Sequence, residues 1–199
     1  MNNERLITII LIAIVWMGFA VMLVRKEDGL PSAIIQSLFL FYWSYMGHVY
    51  AHHASLTYPF NIINTHVSIH HSKVDSIPRW LELMIEAFNN FMGFFALYLG
   101  QKLTGIKIFN LKLILYSAFL YIGIHIFYYS VITDSKYHQV HHDDPFHNYS
   151  PELFDIIFNT RKYDKQYDKI SVIHEVLPAL VSYYLVIYIF KFFKGIRKF

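Results

Sequence analysis

Residues 31–53 read PSAIIQSLFLFYWSYMGHVYAHH. Pro31 and Ser32 open an apolar helix that runs through Gly47 and ends directly on His48. A stretch suited to lipid thus delivers imidazoles to its own boundary, and the four-residue step from His48 to His52 puts both rings on one helical face. That is the spacing of a metal-ligand pair. This reading decides the fold class: an all-α, multi-pass membrane helical bundle carrying a cap of histidines.

Upstream, Leu6 to Val24 forms an uncharged apolar run followed by Arg25, Lys26, Glu27 and Asp28, which fits one bilayer crossing. A cleaved signal peptide is the rival reading, but the run is longer than the usual h-region and no small-residue cleavage site precedes the charges. Downstream, residues 53–82 are mixed and polar. A third apolar stretch, Leu83 to Leu99, carries Glu86, Asn89 and Asn90, so it either lies in the interface or turns those groups inward. After a polar turn at 100–110, Leu111 to Ile132 reads as a fourth apolar helix with His125 inside it. Residues 133–175 are polar and rich in histidine. The last apolar run, Val176 to Phe190, contains Pro178 and passes into Lys191, Lys194, Arg197 and Lys198; it either crosses fully or lies at the interface. The expectation is about four to five membrane helices. Basic residues divide almost evenly between the two sides, so charge sets no orientation.

Composition agrees with one integral membrane domain over residues 1–199. Of the 199 residues 55% are hydrophobic and only 16% charged, more apolar surface than a soluble core of this size can bury. The formal charge of +3 is small and its basic residues are scattered, which argues against a nucleic-acid partner. The chain has no cysteine, which excludes disulfides, thiolate ligands and a cysteine nucleophile. Its 12 histidines are the obvious metal candidates.

Nine of them form three clusters: His48, His52 and His53; His66, His70 and His71; His138, His141 and His142. Singly, a histidine at a helix end is usually a cap or an interfacial residue. Together, several imidazoles at a membrane boundary are costly to desolvate without a metal or hydrogen-bond partner. The expected ligands are His48, His52, His66, His70, His71, His125, His138, His141 and His142. His53 and His147 stand as open candidates, since a polar loop or interface would hold either without metal. His174, next to Glu175, reads as a solvated or capping residue. More than six imidazoles exceed the needs of one zinc, and no His-Glu-x-x-His pattern supplies a general base. Two redox-active metals fit better, and imidazole suits iron.

These boxes resemble those of the membrane fatty acid hydroxylase and sterol desaturase superfamily: His48-x-x-x-His52, His66-x-x-x-His70-His71 and His138-x-x-His141-His142. The third is the most specific. YHQVHHDDPFHNYSPELFDIIFNT, residues 137–160, is similar to a family stretch in which a His-x-x-His-His box precedes Asn-Tyr and then Trp-Asp-x-x-Phe-Gly-Thr. Asn148, Tyr149, Asp155, Phe158 and Thr160 fall on those positions, and the resemblance covers roughly residues 38–162. Three positions depart from it. The second box has one residue more than usual between His66 and the His70–His71 pair, a spacing closer to acyl-chain desaturases; Phe154 replaces tryptophan; Asn159 replaces glycine.

The resemblance implies a cytosol-facing centre of two iron ions, dioxygen as co-substrate, and electrons from a separate cytochrome b5 and an NAD(P)H-dependent reductase. It implies oxidation of a lipid (fatty acyl chain, sphingolipid or sterol) in a membrane that, in a eukaryote, is the endoplasmic reticulum. Asp143, Asp144 and Asn148 are expected to orient the imidazoles. The leading expectation is a lipid hydroxylase. A lipid, sterol or carotenoid desaturase of related type remains open, as does, from a different class, a histidine-lined metal transporter.

Overall fold

Helix α1 (Asn3–Asp28) is apolar over most of its length and stops at Gly29, whose φ of 78° is open to glycine and strained for other residues. The chain reverses there and enters α2 (Leu30–Ala54), so the helix quoted above carries His48, His52 and His53 within its own last turns. The computed structural model describes residues 3–54, 64–71, 77–126, 136–162 and 172–196. A π-helical turn spans His66–His71. Then come α3 (Arg79–Thr104), α4 (Leu111–Ile122) with a π-helical extension over 123–126, the short α5 (Lys136–Asp143) and α6 (Glu152–Ile157), and α7 (Val172–Ile196). Among the described residues there is no strand.

Polar contacts tie the ends of the long helices into two sets. At one end, Asn110 of the α3–α4 link and Lys112 in the first turn of α4 both reach Glu27 at the end of α1, and the Asn110 backbone N–H donates to Gln36 Oε1 of α2 at 2.7 Å. Asn110 also caps α4, its side chain accepting from Lys112 N, and Gly105 in the left-handed region ends α3. At the other end lie the last turns of α2, the first turns of α3, the π turn and α5. Arg5 of α1 clamps Glu152 of α6 through two bonds of 2.8 and 2.9 Å, so α1 begins at this second end. The long helices therefore alternate in direction, and every histidine cluster arrives at the same end.

Between the two ends the core is apolar. Trp16, Leu40, Phe41, Leu113 and Tyr116 pack together; the Trp16 indole donates to the Glu175 carbonyl at 3.0 Å and the Tyr116 hydroxyl to the Trp16 carbonyl at 3.0 Å. Gly123 lets α7 approach α4: a Cβ there would meet Pro178 at 3.1 Å. Outward, large apolar side chains such as Ile14, Met84, Phe88 and Tyr188 are exposed.

Three helices, Asn3–Asp28, Arg79–Thr104 and Glu175–Gly195, are long and apolar enough to cross a membrane. Fewer qualify than the expected four or five. Helix α2 is not among them, because Gln36, its serines and its histidines dilute the apolar run, and Leu111–Ile126 is shorter. Residues 127–132 of the expected fourth helix lie outside the described residues. The C-terminal run is long and apolar enough to cross, and α3 turns Glu86 inward, where it is 1% exposed.

Candidate metal centre

Local backbone geometry decides which imidazoles point inward. In α2, His48 and His52 are buried while His53, one residue further on, is exposed with its ring against Phe146. An α-helix puts residues four apart on one face and turns the fifth away. The second box behaves differently because it is not α-helical. Its i→i+5 pattern widens the turn, so residues four and five apart share a face, and His70 and His71 both join His66. The extra residue between His66 and the pair is thereby absorbed. In α5 the three- and four-residue steps bring His138, His141 and His142 to one side, and the π-helical extension of α4 supplies His125.

All nine expected ligands meet. His48, His52, His66, His71 and His141 form one group, His70, His138 and His142 a second, and His66, Glu86 and His125 a third, with ligand atoms inside each group within 4.8 Å of one another. The groups are contiguous: the His71 and His142 rings stack at 4.3 Å, and His125 lies 4.7 Å from His138.

Hydrogen bonds from behind fix the protons. His48 Nδ1 donates to the Tyr149 carbonyl, His141 Nδ1 to the His147 carbonyl at 2.7 Å, His66 Nδ1 to Glu86 Oε1 at 2.7 Å and His70 Nδ1 to Glu82 Oε1 at 3.2 Å. Carbonyl and carboxylate oxygens only accept, so each of these rings in its neutral form holds its proton on Nδ1 and presents a bare Nε2 lone pair. Those lone pairs face one another. His66 Nε2 and His141 Nε2 each lie 3.1 Å from His52 Nε2, which has at most one proton to share between them. At least one contact therefore sets lone pair against lone pair, a repulsion that a cation between the rings removes. His142 Nε2 and His138 Nε2 approach to 2.9 Å in the second group. His48 Nε2, His70 Nε2, both nitrogens of His71 and Glu86 Oε2 are buried with no hydrogen-bond partner among the described residues. The residues fit a metal, and these histidine groups could hold one. Burial, followed by neighbouring imidazoles, pushes His71, His138 and His141 below the ordinary histidine range, keeping them in the form that binds cations.

Asp143, Asp144 and Asn148 do not orient imidazoles of the cluster. Asp143 is exposed, and Asp144 pairs with His147 at 3.0 Å and Lys162 at 2.8 Å, which hold its carboxyl down at about 2. Asn148 bonds to the Tyr137 carbonyl and the Lys162 backbone. On α5 Asp143 falls on the face opposite the three histidines, and Asp144 and Asn148 lie beyond the end of that helix. Glu82 and Glu86, from α3, take the role instead. His147 stays outside the groups, its ring on Asp144 and its carbonyl on His141. The side chain of His174 lies outside the described residues.

A tight loop presents the two carbonyls. Buried Asp155 accepts from Tyr149 N at 3.0 Å, Ser150 N at 2.8 Å, Thr160 Oγ1 at 2.6 Å and the Tyr137 hydroxyl. Asn148 N donates to the Thr160 carbonyl at 2.9 Å, and Tyr45 reaches Thr160 Oγ1 at 2.8 Å. Asn159 adopts φ 55°, a left-handed conformation that glycine favours and asparagine tolerates. Fold and site define an all-helical chain with a buried polyhistidine centre at one end of its long helices. Compared with protein-family models, characterised proteins and solved structures, the chain finds no match.

Proposed function

We propose that this chain is a membrane-embedded lipid hydroxylase that uses two iron ions and dioxygen. The observation that carries the reading is the set of Nδ1-anchored imidazoles whose Nε2 lone pairs converge in two adjoining groups. Five imidazoles in the first group exceed a closed tetrahedral zinc site. The Nε2 separations of 2.9–3.1 Å also match the edge of an octahedron, roughly 3.0 Å for metal–nitrogen bonds of about 2.1 Å, better than the roughly 3.4 Å of a tetrahedron. Iron, when bound, supplies the redox chemistry that activates dioxygen. One dioxygen and one C–H bond, with two electrons and two protons, give one C–OH and one water. The electrons come from a separate carrier of the cytochrome b5 type and its NAD(P)H-dependent reductase.

The chain's own residues orient and exclude. Glu82, Glu86 and the carbonyls of Tyr149 and His147 aim the rings, and the apolar helices keep bulk water from the buried face. On this reading the protein sits in a membrane, that of the endoplasmic reticulum in a eukaryote, with the histidine end towards the cytosol; the three candidate spans support the membrane setting. The loop of Asn148, Tyr149, Asp155 and Thr160, knotted as one unit, supports the resemblance to the fatty acid hydroxylase superfamily. Gathering of the histidines at one end, rather than along the bundle axis, disfavours the transport reading. The second-box spacing favours one alternative, a desaturase, which removes two hydrogens and releases two waters from the same inputs. Supplying NADPH, reductase, cytochrome b5 and labelled dioxygen to membranes holding the protein decides between them. Label in a new lipid hydroxyl is expected; unlabelled product lacking two hydrogens means desaturation, and turnover without dioxygen rejects both.

A further inference from the structure

A cavity of about 250 Å³ opens between α2 and α3 and reaches the centre at His48 and His66. Two features of its lining describe what belongs in it. The first is its mouth. Gly47 of α2 and Gly93 of α3 both line it, both are exposed, and a Cβ at either would meet nothing within 4 Å. The Trp43 indole, donating to the Gly93 carbonyl at 3.2 Å, holds the two helices together beside the gap. The opening therefore faces the side of the bundle.

The second feature is its polar chemistry. No lysine or arginine lines the cavity among the described residues, so none of these would neutralise a carboxylate or phosphate. Asn64, Asn89 and Asn90 line it instead. Asn64 Nδ2 donates to the Ala51 carbonyl and Asn90 Nδ2 to Glu86 Oε1 at 2.9 Å. Both partners are acceptors only, which fixes each carboxamide with one N–H committed and its oxygen left to accept. A ligand satisfies those oxygens only by donating.

We propose that this α2–α3 slot binds the substrate from the side, and that the substrate is a lipid ending in an uncharged hydrogen-bond donor, a hydroxyl or an amide N–H. The assignment of the ligand as substrate rests on the hydroxylase reading; the slot and its donor preference rest on the cavity. The test measures equilibrium binding of three radiolabelled probes to the detergent-purified full chain, with iron assayed in parallel. The probes are a long-chain primary alcohol, its methyl ether and the carboxylic acid of the same chain. The alcohol should bind roughly five- to tenfold tighter than the ether, the worth of about one hydrogen bond, and the acid more weakly still. Gly47→Leu and Gly93→Leu should each cut alcohol binding by roughly tenfold or more by filling the mouth. Gly18→Leu, at an exposed glycine of α1 outside the cavity, should change nothing.

A diazirine form of the alcohol should cross-link within residues 43–51, 64–66 or 89–94, a readout that needs no variant. Equal affinity for alcohol and ether overturns the donor preference. Cross-links elsewhere, or folded Gly47→Leu and Gly93→Leu proteins with undiminished binding, overturn the slot. Protein that holds no iron yet shows the alcohol preference and its loss in Gly93→Leu sinks the hydroxylase reading and upholds the slot.

Discussion

Glu86 stands behind His66 with its Oε1 shared between the imidazole at 2.7 Å and Asn90 at 2.9 Å, and His125 Nε2 lies 3.8 Å from the same oxygen. One carboxylate thus touches two candidate ligands from a helix that carries no histidine. Carboxylates in this position raise ligand basicity, so Glu86→Gln should weaken iron binding roughly 10–100-fold with the fold retained. Chelator competition followed by iron assay measures it, and wild-type retention by the variant would refute the role. Titration offers a second check. Because burial holds His71, His138 and His141 below the ordinary value, the unfolded chain binds more protons than the folded one once pH falls below the unfolded histidine value of about 6.5. The stability these rings contribute is complete above that value and is lost progressively below it. The thermal midpoint in detergent should therefore fall between about pH 7 and pH 5, and replacing the three residues by glutamine should flatten the slope.

The loop from Asn148 to Thr160 acts as one element because Asp155 ties its ends. Asp155→Ala would strip a partner from two buried backbone N–H groups, those of Tyr149 and Ser150, at about 1–3 kcal/mol each, and release the carbonyl that holds His48. The variant should lose about 3 kcal/mol or more by denaturation in detergent, and iron with it; an unchanged midpoint would show that the loop is held elsewhere. This element also marks where sequence stops informing. The i, i+3 and i+4 steps in α2 and α5 are local, so His48, His52, His138, His141 and His142 can be read before any tertiary contact is known. His71 fits an α-helical expectation less well, since only the wider π turn brings it onto the face of His66. Glu82 has no signature and Glu86 only that of a carboxylate inside an apolar run: their role behind the imidazoles depends on α3 approaching the π turn, which no local spacing announces. Asp143 and Asp144 mislead for the opposite reason, being close in sequence to a ligand and angled away from it. The count of crossing helices is blurred by α2, whose polar residues serve the bundle's interior and so lower its likeness to a lipid-facing span.

Alternation of the long helices places the histidine end and the Asn110 end at opposite poles. A chain without cysteine makes this easy to test, because single cysteines at Asp143 and Lys107 can be labelled with an impermeant maleimide in sealed vesicles. The two should react from opposite sides; labelling of both from one side would exclude a spanning bundle. The same arrangement bears on timing. Segments that complete the centre are spread from His48 to His142, and α5 leaves the ribosome after the first four long helices. Nascent chains pass through an interval in which imidazoles of the first two boxes are in place without their last partners. Binding that is possible only to the finished fold adds its free energy to the final step of assembly. Newly made protein in iron-starved cells should accordingly be degraded faster, as seen by pulse-chase, while a His138→Ala, His142→Ala double variant should have the same short half-life whether iron is supplied or withheld.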